Sequence, residues 1–137
     1  MSNLSMLAAL GLMRESEPPL ALVVDDNELL RLYAGGLLAD HGFEVVEADS
    51  AEAALKVMQT HDGVRLLFTD IQMPGRDGLD LAREVHARWP NVLLVMTSGQ
   101  TKPAPSDIPD DGRFVAKPYR AKDLFGEVDD LMRKSEL

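Results

Sequence analysis

Short apolar runs alternate along the chain with longer stretches in which apolar residues recur every three or four positions. The first run, residues 20–25 (LALVVD), is rich in valine and ends in acid, which fits a strand buried on both faces. Beyond Asn27, the residues Leu30, Tyr33, Ala34, Leu37 and Leu38 follow the helical period. They predict a helix with one buried face, stopped at His41-Gly42 by a glycine suited to the position after the last turn. FEVVEA (43–48) reads as a second strand. Ser50 then caps a helix that carries Ala51, Ala54, Leu55 and Met58 inward. VRLLFTD (64–70) is a third strand, broken by MPGRDG. A third helix presents Leu81, Ala82, Val85 and Trp89 and closes at Pro90. VLLVMT (92–97) and RFVA (113–116) supply two more strands. A last helix sets Ala121, Leu124, Phe125, Val128, Leu131 and Met132 on one side. Five strands alternating with helices predict an α/β fold around a parallel sheet with right-handed crossovers.

Two segments depart from this alternation. Between the fourth and fifth strands the chain reads GQTKPAPSDIPDDG, with Pro103, Pro105 and Pro109. Each proline lacks an N–H donor and pushes the residue before it away from helical dihedrals, at a cost of about 3 kcal/mol in a helix interior. Ile108 is the only large apolar residue between Gln100 and Arg113, so nothing offsets that cost. A single turn near residues 105–108, or an extended loop, is expected. At the other end, Leu4, Leu7, Ala8, Gly11 and Leu12 keep the helical period, and Met6, Leu10 and Met13 add a second apolar stripe. A helix over residues 3–13, packed on the domain or on a second copy as a homodimer contact, competes with a frayed tail. The chain thus divides into an extension, residues 1–19, and one domain, residues 20–137.

Composition narrows the function. Lys and Arg number 14 against 23 Asp and Glu, a net charge of −9, which argues against a nucleic-acid surface. Cysteine is absent, removing disulfide and thiol chemistry. No apolar run approaches the roughly 20 residues that span a bilayer. The apolar start lacks the basic segment of a secretory signal, its first basic residue being Arg14. A soluble cytoplasmic protein with no membrane or nucleic-acid partner is expected.

The chemistry gathers at strand ends. Asp25 and Asp26 end the first strand, Asp70 the third, Thr97-Ser98 the fourth, and Lys117 follows the fifth. In open α/β sheets, ligands bind beyond the carboxyl ends of the strands. Carboxylates converging there repel one another unless a cation sits among them, and a hard divalent ion such as Mg²⁺ suits oxygen ligands. A carboxylate can also accept a phosphoryl group, provided that metal and cation neutralise the transferring oxygens. Three rivals lack their residues. A flavin-type site needs small and hydroxyl residues after the first strand, where DDNE stands. An Asp-x-Asp phosphatase needs spaced aspartates, and a P-loop needs GxxxxGK[ST].

Together VVDD, FTDIQMPGRDG, MTSG and FVAKPY resemble the receiver domain of bacterial two-component response regulators, over about residues 20–134. The resemblance implies a flavodoxin-like sheet in 2-1-3-4-5 order with helices on both faces, from which this chain departs in a fourth helix that is short or missing. It implies Asp70 as phosphoacceptor, Mg²⁺ held directly by Asp26, largely through water by Asp25, and by Asp70 and the Gln72 backbone carbonyl. It implies Lys117 as the partner of acceptor and phosphate, Ser98 as the switch hydroxyl with Thr97 as the alternative, and Phe114 as the switch aromatic. The implied function is a single-domain response regulator phosphorylated by a histidine kinase or phosphotransfer protein. It would signal by contact with a downstream protein, since no output domain follows Leu137. Its chemistry would be limited to Mg²⁺-dependent self-phosphorylation and autodephosphorylation. A phosphorylation-independent adaptor that kept the fold is the alternative.

Overall fold

The computed structural model describes residues 17–100, 102–109 and 111–136. Its elements run β1 (Leu20–Val24), α1 (Glu28–Asp40), β2 (Glu44–Ala48), α2 (Ala51–Thr60), β3 (Val64–Asp70), α3 (Gly78–Arg88), β4 (Leu93–Ser98), β5 (Arg113–Ala116) and α4 (Ala121–Ser135). The strands form one parallel sheet in the order β2-β1-β3-β4-β5. Side chains alternate across it. Leu22, Val24, Leu67, Leu94 and Met96 pack with α2 and α3, while Ala21, Val23, Phe68, Val95 and Val115 pack with α1 and α4. Both faces are apolar because both are covered, as the continuous valine and leucine runs require.

The helices start where their caps stand. Asn27 Oδ1 accepts from the Leu30 N–H at 3.1 Å and Ser50 Oγ from the Ala53 N–H at 3.1 Å. Gly42 adopts φ +97°, the left-handed turn that ends α1. The proline-rich connection contains one 3-10 turn, Pro105–Asp107, and no α-helix among its described residues. Ile108 lies against the α2/α3 core in place of a helix. Gly112 lets it approach, since a Cβ there would stand 2.7 Å from Ile108 Cγ2.

One expectation is corrected. Leu30 and Tyr33 do not line the buried face of α1, being 39% and 47% exposed. Ala34, Gly35 and Leu38 face the sheet instead. α1 meets the sheet through these residues, which leaves Leu29, Leu30, Leu32 and Tyr33 exposed. The His41 ring stacks on Phe125 at 3.9 Å, and its Nε2 lies 2.7 Å from Asp129 Oδ1. Asp130, the next residue, pairs with Arg113 at 2.6 Å. The helix and dimer contact anticipated for residues 3–13 lie outside the described residues. No described helix is long and apolar enough to cross a membrane.

Candidate functional site

The acidic residues meet at the carboxyl rim of the sheet because β1 and β3 are neighbours. Val24 pairs with Thr69, so both strands finish level, and Asp25 and Asp70 leave the sheet side by side. Both are buried, at 6% exposure each, whereas Asp26 is exposed. One carboxylate oxygen from each of Asp25, Asp26 and Asp70 falls within 4.8 Å of the others. Asp25 Oδ1 accepts from the Asn27 N–H at 2.9 Å, which fixes the turn, and the Arg31 guanidinium donates to the Asp25 carbonyl at 2.9 Å. Arg31 also pairs with Glu47 at 3.0 Å, tying the acidic turn to β2.

Lys117 enters from β5. Its N–H donates to the Ser98 carbonyl at 2.9 Å, extending the sheet ladder, and the following peptide bond to Pro118 is cis. From there Nζ reaches 3.3 Å from Asp25 Oδ2 and 3.3 Å from Asp70 Oδ2. Burial pushes the Asp70 carboxyl above its ordinary 3.8; Lys117 opposes this, and the nearby Asp25 charge adds to it. Asp70 Oδ1 is buried with no hydrogen-bond partner. A buried, unsatisfied carboxylate oxygen is costly unless something occupies it, and hard oxygen donors at this spacing suit Mg²⁺.

Thr97 and Ser98 lie on opposite faces. Thr97 pairs with Asp70 and Val115 and leaves its buried Oγ1 without a partner. Ser98 follows Met96 on the other face, the one that carries Phe114 two residues before Ala116, its register partner. Ser98 Oγ donates to Gln72 Oε1 at 2.5 Å and accepts from the Gln100 N–H at 3.1 Å. Phe114 is half-buried against the α2/α3 core.

Three contributors went unnoticed in the sequence. Arg31 carried a faint signal as a basic residue one turn into the helix after the acidic pair. The Gln72 side chain carried none. Gly78 opens α3 against the end of β3: its N–H donates to the Ile71 carbonyl at 2.9 Å, and a Cβ there would lie 1.9 Å from the Asp70 carbonyl oxygen. The Asp77-Gly78 pair at a helix start was its only trace.

A level rim of three carboxylates and a lysine on a sheet of this order is that of the flavodoxin-like receiver fold. The chain belongs to the response regulator receiver domain family, whose sequence profile matches residues 21–129. It is 31% identical over 114 residues to the response regulator receiver protein CpdR of Brucella abortus, a match covering 81% of this chain and 93% of that one. It is 30% identical over 119 residues to the sensor kinase CckA of the same organism, covering 84% of this chain but only 13% of that kinase. In fold it is similar to a receiver domain protein from Clostridium thermocellum, at TM-score 0.79 and 23% identity, over 86% of this chain and 97% of that one.

Proposed function

We propose that Asp70 accepts a phosphoryl group from a phosphohistidine on a histidine kinase or phosphotransfer protein, and that the modified domain signals by binding another protein. The observation that carries this reading is the convergence of Asp25, Asp26 and Asp70 with Lys117 Nζ, 3.3 Å from the acceptor, around an unsatisfied Asp70 oxygen. Asp70 attacks phosphorus through a carboxylate oxygen as the P–N bond breaks; the imidazole leaves with the electron pair and takes up a proton. Lys117, freed from its carboxylate partners, faces the new phosphoryl oxygens, and the Ser98 hydroxyl turns toward them. Asp25, Asp26, Asp70 and the Gln72 carbonyl would hold Mg²⁺, which supplies neutralising charge to the transferring oxygens. Phe114, on the Ser98 face, carries the change to the surface through the packing it shares with Met96. Incubation with acetyl phosphate and Mg²⁺ should yield one acid-stable, base-labile adduct by intact mass. Absence of that adduct would overturn the reading.

Docking of the donor has a matching surface. Leu29 is 78% and Leu32 52% exposed, one turn apart on α1 beside the rim. Next to them Leu30 and Tyr33 join Gly99, Lys117, Pro118 and Tyr119 in lining a groove of about 500 Å³. An apolar patch adjoining a charged reaction centre suits a protein donor that covers both at once. Leu32→Ser should slow phosphotransfer from a protein donor by about tenfold, the equivalent of one leucine left exposed. Labelling by acetyl phosphate, which needs no docking, should proceed at the normal rate. Equal slowing with both donors would remove the patch from the mechanism.

A further inference from the structure

The Ser98 hydroxyl has one proton, and that proton is already engaged. It lies on the 2.5 Å hydrogen bond to Gln72 Oε1, while the oxygen accepts from the Gln100 N–H. Gln72 is anchored for this contact. Its loop is held to β4 by the Ile71 N–H donating to the Thr97 carbonyl at 2.9 Å, and to α3 by the Gly78 N–H donating to the Ile71 carbonyl. Gln72 follows Asp70 by two residues, so its side chain links the loop after β3 to the hydroxyl at the end of β4. Gln72 is half-buried, which shields the contact from competing water.

Resting on the reading of Asp70 as phosphoacceptor and Ser98 as switch hydroxyl, we infer that Gln72 is a latch. Its side-chain carbonyl competes with the phosphoryl group on Asp70 for the single proton of Ser98, and so holds the domain in its unphosphorylated arrangement. A phosphoryl oxygen is a charged acceptor and outcompetes a neutral amide oxygen, but the hydroxyl must first leave Gln72. The strength of the Ser98–Gln72 bond therefore subtracts from the affinity of the site for any ligand that recruits Ser98. Gln72 acts through Ser98 and is a positioning residue.

The test uses beryllium fluoride with saturating Mg²⁺ as the phosphoryl mimic, with binding followed by amide NMR at Asp70 and at residues 97–99 and 113–116. Gln72→Leu removes the acceptor at similar volume and leaves the backbone contacts intact. It should tighten binding about fivefold, the share of one ordinary hydrogen bond, and should ease the shift of the Ser98 amide at subsaturating ligand. Ser98→Ala should weaken binding, and in that background Gln72→Leu should change nothing. Equal tightening with and without Ser98 would show that Gln72 acts on the ligand directly and would overturn the latch. So would unchanged or weaker binding by Gln72→Leu alone. If the wild-type Asp70 amide does not respond to the mimic at all, the phosphoacceptor reading fails and the latch falls with it. That result is distinct from either of the others.

Discussion

Asp70→Asn should abolish the acetyl phosphate adduct and, in the absence of Mg²⁺, make the protein more stable at neutral pH. The loss of labelling follows from chemistry: an amide nitrogen and carbonyl offer no anionic oxygen to phosphorus. The gain in stability follows from burial. The Asp70 carboxyl binds its proton more tightly in the folded chain than its ordinary value of 3.8, because desolvation outweighs the attraction of Lys117. A carboxylate whose folded pKa is raised contributes most favourably when protonated, below the unfolded value. That contribution is lost as pH rises through the folded value. The advantage of Asn over Asp should accordingly be present at pH 7 and disappear below about pH 4. Added Mg²⁺ should reverse the ranking, since the ion binds only the folded wild-type site and stabilises it by mass action. Melting temperatures of the two proteins against pH, with and without Mg²⁺, check the whole pattern. An Asn variant that melts lower than wild type at pH 7 without metal would refute the burial argument. An Asn variant that labels fully elsewhere would refute the site.

Gly78→Ala should be the most damaging single methyl group in the domain. The added Cβ would stand 1.9 Å from the Asp70 carbonyl oxygen, 2.8 Å from its carbonyl carbon and 3.0 Å from Ile71 Cα. All three obstacles are backbone, so no rotamer change relieves them. Either α3 moves off the end of β3 or β3 shifts, and each breaks the Gly78 N–H bond to the Ile71 carbonyl. Overpacking of this kind costs about 3 kcal/mol, which corresponds to a fall of about 10 °C in melting temperature for a domain of this size. Labelling of the folded fraction should also slow, because the shift lands on the acceptor itself. The control is Gly36→Ala, where a Cβ meets nothing within 4 Å; helix propensity predicts a small gain there. A Gly78→Ala protein with wild-type melting and labelling would contradict the contact.

The strand ends were legible because a parallel strand buried on both faces is a continuous apolar run, and the first charged residue after it marks the rim. Asp25, Asp70 and Lys117 were readable on that ground alone, as were the caps Asn27 and Ser50, whose hydrogen bonds reach only three residues along the chain. The prolines at 103, 105 and 109 excluded a helix by local sterics, and a three-residue turn is what forms. Leu30 and Tyr33 misled because the helical period shows which residues share a face, but the neighbour decides how that face is rotated. Here Ala34, Gly35 and Leu38 are the residues that meet the sheet, which leaves Leu30 and Tyr33 on the outer side.

Local physics, written in propensity, capping and apolar period, determined the element types, the parallel sheet and the identity of the acids at its rim. Separation in sequence explains what remained for the folded chain. Lys117 lies 92 residues from Asp25, His41 88 from Asp129, and Ser98 26 from Gln72. No period or spacing encodes such pairs, because each exists only once the strand order places two ends together. Tertiary structure alone thus decided that the Ser98 proton rests on Gln72, that α1 turns Leu29, Leu30 and Leu32 outward, and that a glycine starting α3 leaves room for Asp70.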